Sequence, residues 1–242
     1  MKKLSIAAKL FIGLMMAVGA AVIIQGALQF RPESMVKFLF YLLLTVVASR
    51  LRVRLPRVHG TMSINLPFFL VAATQLSAAE ALLIACLGSI VQSLPRPGGK
   101  LQPVRVAFNA ATVTSAVALA AYTFSASRGA GWVMSLALAV AAASFFFANT
   151  VPVSLVLWLA EGAQPVHTWL EIARVTLPYY VLSAGAAAIF SSVRSPSAWP
   201  AALLLFAVML LTYFSFRHYF GEAAEPVKSA EIPATQAHAS RA

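Results

Sequence analysis

Residues 10–30 read LFIGLMMAVGAAVIIQGALQF, an apolar run without a charged side chain that follows Lys2, Lys3 and Lys9. A helix needs about 20 apolar residues to cross the hydrocarbon core of a bilayer, so this run has the length of a spanning helix. A secretory signal peptide also starts with a basic segment and an apolar core. Because Gln25-Gly26-Ala27 is a poor cleavage site and further apolar runs follow, we interpret the run as a retained first helix.

The composition of the whole chain supports a membrane environment. Of the 242 residues, 60% are hydrophobic and only 10% are charged, and the mean hydropathy is +0.82. Soluble domains carry about 25% charged residues, so this chain has too few charges to cover a soluble surface. The composition therefore excludes a soluble enzyme and predicts membrane lipids as the surroundings. A single cysteine, Cys86, excludes a disulfide framework within the chain.

The charge balance is strongly basic, with 18 Lys and Arg against 7 acidic residues and a net charge of +11. Such a balance in a soluble domain suggests nucleic acid, whereas membrane proteins concentrate Lys and Arg on cytoplasmic loops. We favour the second interpretation and predict no nucleic-acid partner. The densest cluster is interpreted as a cytoplasmic basic anchor, with a nucleotide or anionic-lipid site as the alternative; it comprises Arg50, Arg52, Arg54 and Arg57.

The hydropathy pattern predicts an all-α fold, a polytopic transmembrane helical bundle of about eight spans with both termini cytoplasmic. In this topology the cations divide 14 inside to 4 outside, in the direction of the positive-inside rule. The short runs 61–75 and 78–94 fit two short spans or a re-entrant pair, and residues 132–160, which contain Pro152, fit one kinked helix or two short ones. The predicted spans are 10–30, 35–50, 61–75, 78–94, 104–125, 132–160, 174–192 and 199–219.

The predicted membrane domain covers residues 1–220. Residues 221–242 are polar and contain Pro226 and Pro233, so we expect a disordered cytoplasmic tail. A segment of this length is too short to form a second domain.

The sequence contains no P-loop, no G-x-S-x-G, no H-E-x-x-H and no metal-ligand spacing. We therefore predict no catalytic residue, no metal site and no cofactor. Ser77 and Glu80 have the S-x-x-E spacing of a helix capping box, which we favour over a proton-coupling carboxylate. His167, Trp169 and Glu171 are typical of an amphipathic stretch at the membrane interface.

Polar side chains inside the predicted spans are the candidate ligand-binding residues. Uncharged polar groups in lipid need partners, and Asn or Gln can bond across a pair of helices. Two interpretations stay open: hydrogen bonds that only join helices, or a polar pocket that a small ligand enters. Prolines near the first and fourth of these positions free backbone carbonyls, which adds binding potential. The candidates are Asn65, Gln92, Asn109, Asn149 and Tyr179.

Several phrases occur in a characteristic order: Leu55-Pro56, GTMSIN at 60–65, EALLIAC at 80–86, Val91-Gln92, QPVRVAFN at 102–109, ANTVPV at 148–153 and Pro178-Tyr179-Tyr180. Together they resemble the multi-span MASE-type sensor region that precedes GGDEF, HD-GYP or histidine kinase effectors in bacteria, notably acidobacterial ones. The resemblance covers about residues 5–220. It implies a helical sensor domain in the bacterial inner membrane, here expected without an effector domain.

The resemblance implies a sensory or signalling module without its own catalytic domain. Such a module would bind a small or lipophilic ligand within the bundle and relay to a cytoplasmic signalling protein. A weaker likeness of residues 61–94 to the substrate-binding component of energy-coupling-factor transporters gives the alternative, a ligand-capture subunit with a transporter partner. A structural remnant of a longer sensor is the third hypothesis, and homo-oligomerisation stays open.

Overall fold

The computed structural model describes residues 5–54, 61–95, 99–191 and 199–222. Two short strands, β1 (Arg52–Arg54) and β2 (Thr61–Ser63), lie between the second and third helices, and a 3-10 turn (Trp199–Ala201) precedes the last helix. The predicted helical bundle is confirmed, and the strands are a departure from an all-α chain. In these ranges the helices are α1 (Ile6–Leu28), α2 (Met35–Arg50), α3 (Leu66–Gln75), α4 (Ala78–Ser93), α5 (Pro103–Gly129), α6 (Met134–Glu161), α7 (Pro165–Ser191) and α8 (Ala202–Glu222).

Four helices of the described ranges, α1, α5, α6 and α7, are long and apolar enough to cross a membrane. The helices α3 and α4 are apolar but shorter. With ten residues, α3 is about 15 Å long at helical rise, half the thickness of a hydrocarbon core. The predicted helical run from Thr61 is therefore wrong in its first part, because the helix begins only at Leu66.

The strands explain this difference. They pair antiparallel, with Arg52 opposite Ser63 and Arg54 opposite Thr61, and the Ile64 N–H donates to the Leu51 carbonyl at 3.3 Å. Backbone groups away from water need partners, and pairing two extended segments supplies them. The two strands β1 and β2, which we call the ribbon, therefore stand between the end of α2 and the start of α3.

The run 132–160 forms one helix, α6, as the single-helix alternative predicted. Its internal Pro152 has no N–H to donate, but the helix continues on both sides. Nearby hydroxyls bond within the helix: Thr150 donates to the Phe146 carbonyl at 2.7 Å and Ser154 to the Val151 carbonyl at 2.8 Å. The helix ends at Gly162, whose φ of 76° is in the left-handed region that glycine tolerates.

The predicted interfacial stretch around Trp169 and the predicted span 174–192 belong to one continuous helix, α7, so the helix begins earlier than the predicted span. Pro165 begins this helix, where a missing N–H costs nothing. His167 Nδ1 lies 3.7 Å from Glu171 Oε1 one turn later, and both side chains are exposed. The helix continues from this turn into the apolar part that follows and through its internal Pro178 to Ser191.

The centre of the bundle is α3. Every residue from Leu66 to Ala72 is buried, and the helix contacts α2, α4, α5, α6 and α7. Lys37 Nζ donates to the Gln75 carbonyl at 2.7 Å, which places the end of α3 beside the start of α2. Because β1 and β2 bring the other ends together, α2 and α3 run antiparallel.

The turn between α3 and α4 is closed by the predicted capping box. The Glu80 carboxylate accepts from the Ser77 N–H at 2.9 Å and from the Ser77 hydroxyl at 2.7 Å, and Glu80 is buried. At the far end of the chain α8 extends to Glu222, two residues into the predicted tail. The rest of that tail, residues 223–242, lies outside the described residues.

Candidate functional site

A group of hydrogen-bonded polar side chains lies where α2, the ribbon, α3, α4 and α7 meet. Asn65, the last residue before α3, donates through Nδ2 to Ser49 Oγ and to Gln92 Oε1, each at 3.0 Å. Ser63 Oγ donates to the Ser49 carbonyl at 3.2 Å. We call this group the polar cluster; its members are Ser49, Ser63, Asn65, Gln92 and Tyr179.

Tyr179 joins the polar cluster from α7. Its hydroxyl donates to the Ser63 carbonyl at 2.9 Å and accepts from the Leu66 N–H at 3.2 Å. The Leu66 N–H belongs to the first turn of α3, where no earlier helical carbonyl is available to accept it. Tyr179 therefore closes the start of α3 with a side chain from a helix that is distant in sequence.

Arg52 borders the polar cluster from β1. Its Nη2 donates to the Leu94 carbonyl at 2.6 Å and to the Val91 carbonyl at 3.4 Å, at the end of α4. The last carbonyls of a helix lack partners within it and carry partial negative charge, so a guanidinium is favourable there. Arg52 thus fixes the end of α4, next to Gln92, against the ribbon.

The structure brings together three of the five predicted pocket residues, Asn65, Gln92 and Tyr179. Asn109 is on α5, and its Nδ2 donates to Ser93 Oγ on α4 at 3.1 Å, with no bond to the polar cluster among the described residues. Asn149 on α6 donates to the Tyr180 hydroxyl at 3.0 Å, outside the polar cluster. All five side chains therefore form hydrogen bonds within the protein. Tyr179 bonds backbone groups, and the other four bond side chains of another helix or loop.

The arginines of the predicted basic anchor have different surroundings in the structure. Arg50 is exposed at the end of α2, whereas Arg52 is half-buried in the contacts with α4. Arg54 ends β1, and its side chain is outside the described part of the structure, as is the whole of Arg57. A contact of the exposed cations with the cytoplasm or with lipid headgroups stays a prediction.

A group of aromatic side chains on α6 and α7 continues from Tyr179. The rings of Tyr179 and Tyr180 lie 6.1 Å apart, and Tyr180 packs edge-on against Phe146 at 4.9 Å. Trp169 stacks on Phe147 at 5.7 Å, and its Nε1 donates to Thr150 Oγ1 at 3.0 Å. These ring contacts and the hydrogen bond of Trp169 join α6 to α7 beside Tyr179.

Several participants were missed from the sequence. Ser49 and Ser63 are ordinary small polar residues, and only the return of the chain through the ribbon places them beside Asn65. The role of Arg52 at the end of α4 was also missed. The one available signal was the polar alternation Ser63, Asn65 after a basic extended segment, which fits strand geometry better than a helix.

The polar cluster is made of amide and hydroxyl side chains, which can both donate and accept hydrogen bonds. Within the described ranges, no group of three or more His, Cys, Asp or Glu side chains is placed to hold a metal ion.

A family model described as MASE9 matches residues 6–211 of the chain. The matched region starts at the first residue of α1 and ends within α8, so it contains the polar cluster and the ribbon. No curated protein and no solved structure matches the chain.

Proposed function

Since the chain belongs to the MASE9 family, a MASE-type membrane sensor family, we propose that its polar cluster binds a small or lipophilic ligand and that the bundle relays this event to a partner. The observation that carries the proposal is the cluster itself. Three of its members were expected from the sequence, and five separate elements supply it. Polar side chains concentrated inside an apolar membrane bundle are typical of functional sites.

The hydrogen bonds of the polar cluster are of a kind that a ligand can replace. Asn65 and Gln92 each carry a carbonyl oxygen and an amino group, so either side chain can turn from its present partner to a ligand hydroxyl, carbonyl or amide. The Asn65–Gln92 bond joins α3 to α4. A ligand that replaces it would change the contact between these two helices, and this differential contact is what a signal requires.

The proposal assigns no catalytic step to this chain. Sensing needs a site and a change of helix contacts, and a cytoplasmic signalling protein is the proposed partner that receives this change. Membrane lipids surround the bundle. A second copy of the chain is a further candidate partner, and cross-linking in cells would detect it.

We place the protein in the bacterial inner membrane with eight spans and both termini cytoplasmic. In this topology Arg50, Arg105 and Arg217, all exposed, lie at the cytoplasmic side. Single cysteines at Ala130 and Gln164, introduced into a Cys86→Ala background, test it with a membrane-impermeant maleimide. Ala130→Cys should react in intact cells and Gln164→Cys only after lysis; the reverse pattern contradicts the topology.

Ligand binding is tested on the full chain purified in lipid nanodiscs, by native mass spectrometry of what it retains. We expect a bound small molecule other than bulk lipid in the wild type. Asn65→Ala and Gln92→Ala should lower its occupancy about tenfold, the effect of losing about 1.4 kcal/mol of binding energy. Asn149→Ala removes an interhelical amide bond outside the polar cluster and is the matched control. A wild type without such a molecule, or variants with unchanged occupancy, would contradict the proposal.

The relay is tested separately by cross-linking in cells. A photoreactive residue at exposed Phe214 of α8 should capture a signalling protein, and the same residue at exposed Tyr122 of α5 should not. Capture of a second copy of this chain alone would point to homo-oligomerisation in place of a signalling partner.

The second candidate, a ligand-capture subunit of a transporter, is favoured by one observation: α3 is short, fully buried along most of its length and capped by the polar cluster. Short interrupted helices are where transporters bind substrate. Against it, Gly19 on α1 is already buried against Ala111 of α5, so this small residue is not free to dock a coupling subunit. Uptake that is lost in Asn65→Ala cells would favour transport over sensing.

A further inference from the structure

The strand β1 lies between the polar cluster and the last helix. On one side, Arg52 of β1 bonds the end of α4, and the strand pairs with β2 so that Arg52 stands opposite Ser63. Ser63 accepts the hydrogen bond of Tyr179. One three-residue strand is thus tied to α4 through a guanidinium and to α7 through its partner strand.

On its other side, β1 contacts α8. The inward face of α8 consists of Ala202, Leu205 and Met209, all buried, and Phe206 meets Phe68 of α3 at 6.0 Å. Beyond these residues the principal neighbours of α8 are β1, α7 and the turn that precedes it. The opposite face is exposed, as Leu204 and Leu211 illustrate. The strand β1 is therefore one of the elements that position this helix in the described structure.

A two-stranded ribbon is only marginally stable by itself, so its position depends on what holds it. Here the bonds from Arg52 to α4 and from Tyr179 to Ser63 hold it. If Gln92 moves with the end of α4, the Leu94 carbonyl moves too, because both lie in the same turn. Arg52 follows that carbonyl, and β1 follows Arg52.

We propose that β1 transmits a rearrangement of the polar cluster to α8, with Arg52 as the positioning residue that couples α4 to the ribbon. The inference rests on the proposed function, because it names the route from the ligand site to the output helix. It assigns the ribbon a mechanical role between two packed helices, which discrete contacts of this kind can carry.

The test measures amide hydrogen exchange by mass spectrometry in the full chain in nanodiscs, without any added ligand. Arg52→Ala should raise exchange about tenfold in the last turn of α4 and also in the part of α8 near residues 205–216, because local opening follows the bonds removed. Arg50→Ala, at the exposed end of α2, is the matched control and should change neither segment. Asn65→Ala perturbs the cluster without touching β1 and should also raise exchange in α8.

Arg52→Lys keeps the charge and a donor but loses the planar fork, so it should give an intermediate increase and serves if Arg52→Ala fails to fold. Faster exchange in α4 with unchanged α8 would overturn the proposal, as would unchanged exchange in both segments. Native mass spectrometry on the same samples separates this outcome from failure of the proposed function. The occupancy of the bound molecule tests the proposed ligand site, whereas hydrogen exchange in α8 tests only the proposed transmission through β1.

Discussion

Tyr179 donates a hydrogen bond to the Ser63 carbonyl across 2.9 Å, although 116 positions separate the two residues in the chain. The same hydroxyl accepts the first N–H of α3. One side chain from α7 thereby connects the ribbon with the start of the central helix. Since both partners are backbone groups, the connection depends on the fold of residues 63–66 and not on the side chains there.

Tyr179→Phe should destabilise the protein by about 1–3 kcal/mol, because it leaves a buried carbonyl and a buried N–H without this partner. Thermal unfolding in detergent, followed by tryptophan fluorescence, measures the change. Tyr122→Phe, at a position that is 71% exposed, is the control and should be nearly neutral. Equal effects of the two substitutions would show that the Tyr179 hydroxyl contributes nothing.

The Asn65–Gln92 bond should appear as a coupling energy. In a double-mutant cycle with Asn65→Ala and Gln92→Ala, we expect a coupling of about 0.6–1.7 kcal/mol, the range for hydrogen bonds between membrane helices. The pair Asn65 and Asn149, which share no bond, should be additive within about 0.5 kcal/mol. If the effects of Asn65→Ala and Gln92→Ala were additive, the bond between these two side chains would contribute no stability.

Two threonines should respond to valine with opposite signs. Thr45 is fully buried on α2, and its hydroxyl has no hydrogen-bond partner among the described residues. Thr45→Val should therefore be neutral or stabilising by up to about 1 kcal/mol, because it removes an unsatisfied polar group of similar shape. Thr150→Val should destabilise by about 1 kcal/mol, since this hydroxyl accepts from Trp169 and donates to Phe146. Reversed signs in thermal unfolding would contradict the assignment of both hydroxyls.

Gly19 and Gly13 form a matched pair on α1. A Cβ at Gly19 would collide with the backbone and the side chain of Ala111 on α5, whereas a Cβ at Gly13 would meet nothing within 4 Å. Gly19→Ala should cost about 1–3 kcal/mol through overpacking. Gly13→Ala should be stabilising by about 0.5–1 kcal/mol through helix propensity. Unfolding curves in which the two variants coincide would contradict close packing of α1 on α5.

Glu80→Ala should cost about 1 kcal/mol, because the carboxylate accepts from the Ser77 N–H ahead of α4. Glu80→Gln keeps an acceptor and should retain most of that stability. Glu33→Ala, at an exposed carboxylate outside any cap, is the control. If Glu80→Gln were as unstable as Glu80→Ala, the charge rather than the cap would be responsible.

Much of the fold follows from the sequence because lipid imposes a simple length rule. The apolar runs around α1, α2, α4, α5 and α8 are predicted within a few residues of their observed bounds. The errors concern segments that are not long apolar runs, to which the length rule does not apply. The ribbon replaces the first residues of the predicted run 61–75, because pairing with β1 gives these extended residues backbone partners without a helix. The start of α7 was placed too late, because its charged first turns are outside the apolar window.

The candidate site was only partly predictable. Composition identified the scarce polar side chains within apolar runs, and Asn65, Gln92 and Tyr179 do meet. Periodicity could not show that Asn109 of α5 bonds Ser93 of α4, or that Asn149 of α6 bonds Tyr180 of α7, because it does not say which helices are neighbours. The sequence predicts Arg52 as one of four equivalent cations, whereas in the structure its guanidinium bonds the carbonyls at the end of α4.

The sequence by itself determined that this protein is an apolar helical bundle with few charges, since transfer of charged groups into lipid is costly whatever the fold. It also determined the capping box of Ser77 and Glu80, which depends on residues close in the chain. Only the tertiary structure decided which polar groups meet, because partners such as Tyr179 and Ser63 are brought together by the packing of whole helices. The tertiary structure likewise decided the pairing of the ribbon, the polar cluster and the contact of α8 with β1. These contacts join residues that are close in space but distant in the chain.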